Sequence, residues 1–488
     1  MTAGQTRAAF WAILALALVL RLYALSLWSI HHPDEIFQYL EPAHRIVFGQ
    51  GVVTWEYRYG MRGWLLPLLL AGPMALGEAI QPGGGLYLLL PRIMVSLVSL
   101  GIPIGAFLIG RRMSPTHGMI AMAVMALWFE SVYFSSHVLT EMLAVAVFLP
   151  AAGMMLGQKD DTDRRQFLFA GFLLGLAAIL RFHYLPAFAI FALMTCGTHV
   201  HARWLPLIIG GLLAAAVSAV ADGIMGQIPF AWIAENFQQN VVLNRAADYG
   251  VDPPLAYFAM LAIWWGVALP VIFLLMTPAI SANRALLITA LVALAVHMAI
   301  GHKEYRFIML PATLFVLLAA LGSAQWNAAW TSRIRQSPLW LPPVAVCAIW
   351  ASVSIGLAMT GAVKDYWSEY RPQLELSRLA AKNPALCGIA LHHLKFWETG
   401  GYTYLHHDVP IYITDIFPAD RLTLGTNDRR ERAFNAVIAS ETATRSTGSP
   451  WQRKACIGAV CLLERPGGCD SAAGRASEIN ALLRRLDM

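Results

Sequence analysis

From Ala8 to Ile30 the chain reads AAFWAILALALVLRLYALSLWSI, an apolar run long enough to cross a bilayer as an α-helix. Arg7 precedes it, Arg21 interrupts it, and no small-residue cleavage site is evident, so an uncleaved first span is expected rather than a signal peptide. Further apolar runs follow at about 88–110, 119–135, 138–157, 167–181, 184–197, 204–221, 255–279, 284–300, 305–323 and 338–360. They predict roughly eleven spans at about 20 residues each. The run from Trp64 to Ile80 is punctuated by Pro67, Gly72, Pro73 and Gly77. It is expected to be re-entrant or interfacial, its backbone shielded by protein or by a cavity.

Composition points the same way. Hydrophobic residues make up 58% of the 488 and charged ones 13%, with a mean hydropathy of +0.56. A soluble domain carries about a quarter of its residues as charges, so a water-soluble enzyme is excluded. Of the 64 charged residues, 30 fall in the last 128 positions. The expected division is a membrane body over 1–360, with a catalytic first outer loop at 31–87, and an outer soluble domain over 361–488. The net charge of +6 sits at the ends of apolar runs, without a Lys/Arg block interleaved with aromatics. That pattern indicates membrane lipid, not nucleic acid, as the partner.

With the N-terminus inside, the short inner loops hold Arg111, Arg112, Lys159, Arg164, Arg165, Arg203, Arg284, Arg333 and Arg335, and the outer loops hold nearly all of the acids. An odd number of spans then places the tail outside. The tail reads as a small α/β domain with strands at Leu386–Leu391, Val409–Thr414, Ala433–Ala439 and Ile457–Leu463 and a terminal helix over Ser471–Leu486. Cys387, Cys456, Cys461 and Cys469 lie there, where one or two disulfides are expected and three full pairings are open. Cys196 and Cys347 fall in spans and are expected to be packing residues. No C-x-x-C pair suggests zinc, and Asp161-Thr162-Asp163 is a chance inner-side match to a metal-binding Asp-x-Asp.

The first outer loop carries the chemistry: His31-His32-Pro33-Asp34-Glu35-Ile36-Phe37-Gln38-Tyr39-Leu40-Glu41-Pro42-Ala43-His44. Pro33 suits a first helical turn, and Asp34 and Glu35 favour its positive end. Asp34, Gln38 and Glu41 share a face by α-helical spacing, whereas Asp34 and Glu35 do not. The bland reading is an amphipathic interfacial helix with its acids in water. The functional reading is a cavity cap in which an Asp takes a proton from a hydroxyl while its neighbours hold a sugar. A second cluster, His302-Lys303-Glu304-Tyr305-Arg306-Phe307, opens a later span. Its bland reading is a snorkelling anchor; its functional reading is a set of fixed cations that stabilise a departing lipid-linked phosphate. Arg181 and His183, at another outer helix end, could join it, and Glu141 sits where an N-terminal helix acid would.

The loop from His32 to His44, followed by Thr54-Trp55-Glu56 and by Arg62, resembles the first luminal loop of glycosyltransferase family 22, with its H-P-D-E-x-F-Q-x-x-E signature. His302 to Arg306 matches that family's H-K-E-x-R-F stretch, and Gly400-Gly401-Tyr402-Thr403-Tyr404-Leu405-His406 resembles part of its outer C-terminal domain. The likeness is nearest to members that add mannose to glycosylphosphatidylinositol anchors. It implies a GT-C fold and inverting transfer of a hexose, mannose above all, from a polyprenyl- or dolichyl-phosphate donor to a hydroxyl of a glycolipid or lipid-linked glycan. It would put the base on Asp34 with Glu35 and His32 close by, and would make Lys303 and Arg306 candidates for the donor phosphate. Two departures leave the acceptor open. Ser135-Ser136-His137 precedes Val138-Leu139-Thr140-Glu141 where the family often shows an Arg–Ser–Asn–Glu-like pattern, and Gly63 follows Arg62 where Ser is common.

Such a transfer needs no metal and no cofactor, because the donor's anomeric carbon is already activated by its phosphate. The rival class is a transporter or flippase for a lipid-linked sugar, which should place ionisable groups near the midplane and show inverted halves. Here the ionisable residues gather at one face. The chain contains no N-x-S/T sequon and no C-terminal retention signal, which favours a bacterial plasma membrane over endoplasmic reticulum.

Overall fold

The computed structural model describes residues 3–157, 163–331, 341–414, 422, 424–426, 428–444 and 448–488. Lys159, Asp161, Thr162, Arg333, Arg335 and the first residues of the expected span at 338–360 lie outside them. The chain divides into two compact units. The first comprises residues 1–27, 92–230 and 236–367; the second comprises 28–91, 231–235 and 368–488. The loop that follows the first span therefore belongs to the same unit as the tail.

The chain is a multi-pass membrane protein. Five helices are long and apolar enough to cross a bilayer: Gly4–Leu25, Leu86–Arg111, Val200–Ile224, Ser281–Ala299 and Tyr305–Ala329. Four further pairs bend sharply at a break, which brings the number to nine among the described residues if each pair is one span. The expected eleven and this count part at two places. The runs at 167–181 and 184–197 are the arms of one pair, Arg164–Leu180 and Phe182–Cys196, bent by 119° at Arg181, and the run at 138–157 forms a short helix, Thr140–Leu156. The expected interruption of Trp64–Ile80 is absent: Leu65–Ile80 is one continuous helix. Pro67 falls in its first turn, where no intrahelical N–H bond is lost.

Local signals set the ends of these helices. Ser114 caps Pro115–Leu127 by accepting the His117 N–H, and Asp163 caps Arg164–Leu180 by accepting the Gln166 N–H at 3.1 Å. Side-by-side packing relies on small residues. A Cβ on Gly210 would lie 2.0 Å from the Leu168 carbonyl oxygen, and one on Gly171 would lie 2.1 Å from that of Leu207. The two helices thus touch backbone to backbone, as small-residue interfaces in membranes allow. The helix Tyr305–Ala329 is enclosed by protein, with 94% of its apolar window buried.

The tail carries a five-stranded mixed sheet in the order β2-β1-β3-β5-β4. Its strands are β1 (Ile389–His392), β2 (Ile411–Thr414), β3 (Ala436–Ser440), β4 (Gln452–Ile457) and β5 (Val460–Glu464). β1 pairs in parallel with β2 and β3, and the β3–β5–β4 ladder is antiparallel. The sequence run expected as one strand over Ile457–Leu463 is instead a hairpin corner. Gly458 turns with φ +56°, and Cys456 faces Cys461 across the ladder, joined by a disulfide. Cys387–Cys469 is the second disulfide and closes a separation of 82 residues. The expected terminal helix is a 3₁₀ stretch, Ser471–Ser477, followed by the α-helix Ile479–Leu486. Within this unit the loop after the first span is tied to the tail. The Val53 N–H donates to Asn480 Oδ1 at 2.8 Å, and the Tyr59 hydroxyl donates to Asp487 at 3.0 Å.

Candidate functional site

In the second unit, the Pro33 carbonyl accepts the N–H groups of Ile36 and Phe37, and Asp34 opens a π-helical turn over Glu35–Leu40. Such turns are rare and concentrate at functional positions. The α-helical spacing that predicted one face for Asp34, Gln38 and Glu41 does not apply across it. Nor do the acids of an interfacial helix face water here: Glu35, Gln38, Glu41 and His44 are all at most 4% exposed. Each has a fixed task. Glu35 Oε1 reaches back to accept the N–H groups of His31 and His32. Gln38 donates to Glu56 Oε1 at 2.8 Å, and the same oxygen accepts from Arg62 at 2.6 Å. Glu41 accepts the N–H groups of Thr403 at 3.3 Å and Val52 at 3.4 Å.

Asp34 is placed differently. Its side chain is 22% exposed, and His32 Nδ1 accepts its backbone N–H at 3.2 Å while standing 3.3 Å from its Oδ1. Arg62 lies within the field of this carboxylate. Burial alone would lower the Arg62 pKa, but Glu56 first, then Tyr39 and Asp34, outweigh burial and hold the guanidinium firmly charged. Burial raises the Tyr57 hydroxyl well above its ordinary value, and that hydroxyl donates to the Gln38 carbonyl at 2.6 Å. Asp34 is thus a partly open carboxylate on a rigid turn, beside a permanently charged guanidinium.

A second group in this unit links the loop to the Gly400–His406 stretch. His44 Nδ1 meets the Gln50 carbonyl at 2.8 Å and its Nε2 meets His406 Nδ1 at 3.2 Å; burial first of all lowers its pKa to about 4. His406 stacks on Tyr87 with 3.8 Å between ring centroids, and its Nε2 lies 3.3 Å from Glu78.

The first unit holds the other predicted residues. Glu141, in the first turn of Thr140–Leu156, has Oε1 3.1 Å from Arg181 Nη1 and 3.4 Å from Arg306 Nη1. Arg306 grips both oxygens of Glu304, through Nε at 2.6 Å and Nη2 at 3.2 Å. His302 Nε2 reaches Glu304 Oε1 at 3.0 Å, a bond that raises the imidazole pKa against the opposing effect of burial. Lys303 donates to the carbonyls of Met298 and Ile300, closing the end of the preceding helix. Phe307 packs under both guanidiniums, 4.7 Å from Arg181 and 5.0 Å from Arg306. His183 packs on the Phe182 ring beside this network.

This geometry departs from the anchor reading. Lys303 and Arg306 are 5% and 3% exposed, so they are enclosed rather than snorkelling. Arg181 lies at the break of its bent helix pair with Nε lacking a hydrogen-bond partner among the described residues. The three cations outnumber the carboxylates Glu141 and Glu304 by one. Such an excess, desolvated and fixed, suits an anionic group.

The sequence reading missed the residue that fixes this segment from behind. Glu130 is buried where the helix pair Pro115–Leu127 and Phe129–Ser136 bends, and it accepts from Trp128 Nε1 at 2.9 Å, Trp265 Nε1 at 2.8 Å and the Tyr305 hydroxyl. Tyr305 also stacks on Trp264. An acid inside an apolar run was the available signal.

Residues 11–384 match the family model described as the Alg9-like mannosyltransferase family. The chain is 29% identical over 334 residues to GPI mannosyltransferase 3 of Drosophila melanogaster, across 64% of this chain and 55% of that one. It is 23% identical over 410 residues to GPI mannosyltransferase 3 of Yarrowia lipolytica, across 81% and 75%. The aligned stretch thus spans only about half the length of the Drosophila relative. Both relatives are eukaryotic, so the preference for a bacterial plasma membrane, which rested on a missing sequon and a missing C-terminal retention signal, is not supported. In fold the chain is similar to ArnT from Cupriavidus metallidurans bound to undecaprenyl phosphate, with a TM-score of 0.58 over 93% of this chain and 97% of that one, at 11% identity. The fold is of the GT-C type.

Proposed function

Because this chain belongs to the Alg9-like mannosyltransferase family, we propose that it transfers a mannosyl residue, with inversion, from a polyprenyl- or dolichyl-phosphate donor to a hydroxyl of a glycolipid or lipid-linked glycan. The reaction breaks the bond between the anomeric carbon and the donor phosphate oxygen and forms a glycosidic bond to the acceptor oxygen. The acceptor proton passes to Asp34 Oδ, and the electron pair leaves with the phosphate. Asp34 is the general base, Glu35 holds the loop that presents it, and Gln38, Glu56 and Arg62 form a polar floor. Arg181, Arg306 and Lys303 supply positive charge for the leaving phosphate, with Glu141 and Glu304 orienting the two arginines. Both groups act on the periplasmic or lumenal side; the two disulfides of the tail favour that oxidising side.

The observation that carries this reading is the contrast within the first loop. Glu35 and Glu41 are buried and bonded to backbone N–H groups, whereas Asp34 remains partly exposed beside Arg62. The test is turnover by the purified protein of a panel of prenyl-phosphate sugars, with the product identified by mass spectrometry. Transfer from prenyl-phosphate mannose to a glycolipid acceptor is expected. Movement of a lipid-linked sugar across vesicles with no new glycosidic bond would instead establish the transporter.

A further inference from the structure

The first unit contains a cavity of about 880 Å³ at the helix ends remote from Glu141 and Arg181. Glu141 lies in the first turn of Thr140–Leu156, whereas Gly153, Met154 and Gly157 line the cavity at that helix's far end. At 1.5 Å per residue, about 20 Å of helix separates Glu141 from Met154. The cavity is therefore distinct from the cluster that the proposed reaction uses.

Its lining is of two kinds. Arg111, Arg112 and Arg165 supply the polar side, and Phe107, Leu108, Met154 and Phe169 the apolar side. None of the three arginines makes an ion pair among the described residues. The one acid in the lining, Asp163, uses Oδ1 to cap a helix through the Gln166 N–H. Arg112 is held in place by the carbonyls of Ile109 and Ala282 and by Asn283 Oδ1. Arg111 stands 5.8 Å from the Phe107 ring centroid, and Phe169 is 51% exposed at the cavity wall.

We infer that this cavity binds the phosphodiester headgroup of an anionic diacyl phospholipid, with the acyl chains against Phe107, Leu108, Met154 and Phe169. A free phosphate would meet the guanidiniums but leave the apolar wall and most of the volume unfilled. A zwitterionic headgroup would bring its own cation against three arginines that the single carboxylate of Asp163 offsets only in part. Basic pockets between spans recognise anionic lipids by this combination of charge and depth.

The test is native mass spectrometry of the full chain in detergent mixed with equal phosphatidylglycerol and phosphatidylcholine. Phosphatidylglycerol should be retained in preference. The double variant Arg111→Gln/Arg165→Gln, which spares the structural Arg112, should reduce retained phosphatidylglycerol about 25-fold, from roughly fivefold per guanidinium, with an unchanged unfolding temperature. Excess inorganic phosphate should not displace the lipid. Equal retention of both lipids, wild-type retention by the double variant, or displacement by inorganic phosphate would each overturn the proposal, the last by revealing a site for free anions.

Discussion

Gly401 stands directly against Glu41: a Cβ at position 401 would lie 1.7 Å from the Glu41 Oε1 atom. The residue also turns with φ +55°, which side chains disfavour by roughly 1–2 kcal/mol. Glycine is required there twice over, once for its backbone and once for the carboxylate that fills its missing side chain. Gly60 offers the comparison, with φ +66° and open space around its absent Cβ. Gly60→Ala should lower the unfolding temperature slightly. Gly401→Ala should lower it far more, or prevent recovery of monodisperse protein; equal effects would contradict the contact.

The same carboxyl gives the fold a pH dependence. Burial pushes the Glu41 pKa up from 4.5 to about 8, against the smaller opposing effects of the Thr403, Tyr402 and Val52 N–H groups. A folded pKa above the unfolded one contributes stability that is complete below pH 4.5 and is lost as pH rises through 8. His44, lowered to about 4, contributes the opposite slope only below its ordinary 6.5. Thermal unfolding between about pH 6.5 and 8 should therefore show stability falling, with a shallower fall in Glu41→Gln. An identical slope in both proteins would place Glu41 in its ordinary range.

Much of this was legible in the sequence, for reasons that can be named. Apolar run length located the spans, and short apolar runs located β1, β2 and β3, while the run at 457–463 straddled the turn between β4 and β5. The motifs at His32–Glu41 and His302–Arg306 located both charged groups. The break at Arg181 was legible, since the runs at 167–181 and 184–197 end on either side of it, but the bend at Trp128 was not: it falls inside one apolar run, where tertiary packing satisfies the freed backbone. The π turn at Glu35–Leu40 was hidden likewise, since it keeps helical composition while changing which side chains align. Glu130 was overlooked because one acid hardly alters a span's hydropathy, although burial makes such a residue costly unless fully bonded.

Arg306 should be indispensable to turnover. Arg306→Ala removes one of the three cations, leaving Glu141 to Arg181 and Glu304 to His302. Arg306→Lys retains the charge but cannot grip both oxygens of Glu304. Steady-state kinetics should show a strong loss in the first and partial recovery in the second. Wild-type kinetics in both would return this residue to the role of an anchor.

The outer placement of the tail can be read by thiol labelling. Arg429 is exposed and lies well away in sequence from the four paired cysteines. A cysteine introduced there should react with an impermeant reagent added from the periplasmic or lumenal side. Reaction from the opposite side alone would reverse the topology.

The central claim is that Asp34 takes the acceptor's proton, and the most direct measurement is turnover of prenyl-phosphate mannose by Asp34→Asn beside Glu35→Gln. The amide keeps the size of the carboxylate and much of its hydrogen bonding but is not a base near neutral pH. Asp34→Asn should lose on the order of 10²–10⁴-fold in rate, the usual scale for general-base removal, with donor binding retained. Glu35→Gln should lose less, because an amide oxygen can still accept the His31 and His32 N–H groups that Glu35 holds. Turnover by Asp34→Asn within a few-fold of wild type, or abolition by Glu35→Gln alone, would contradict the assignment.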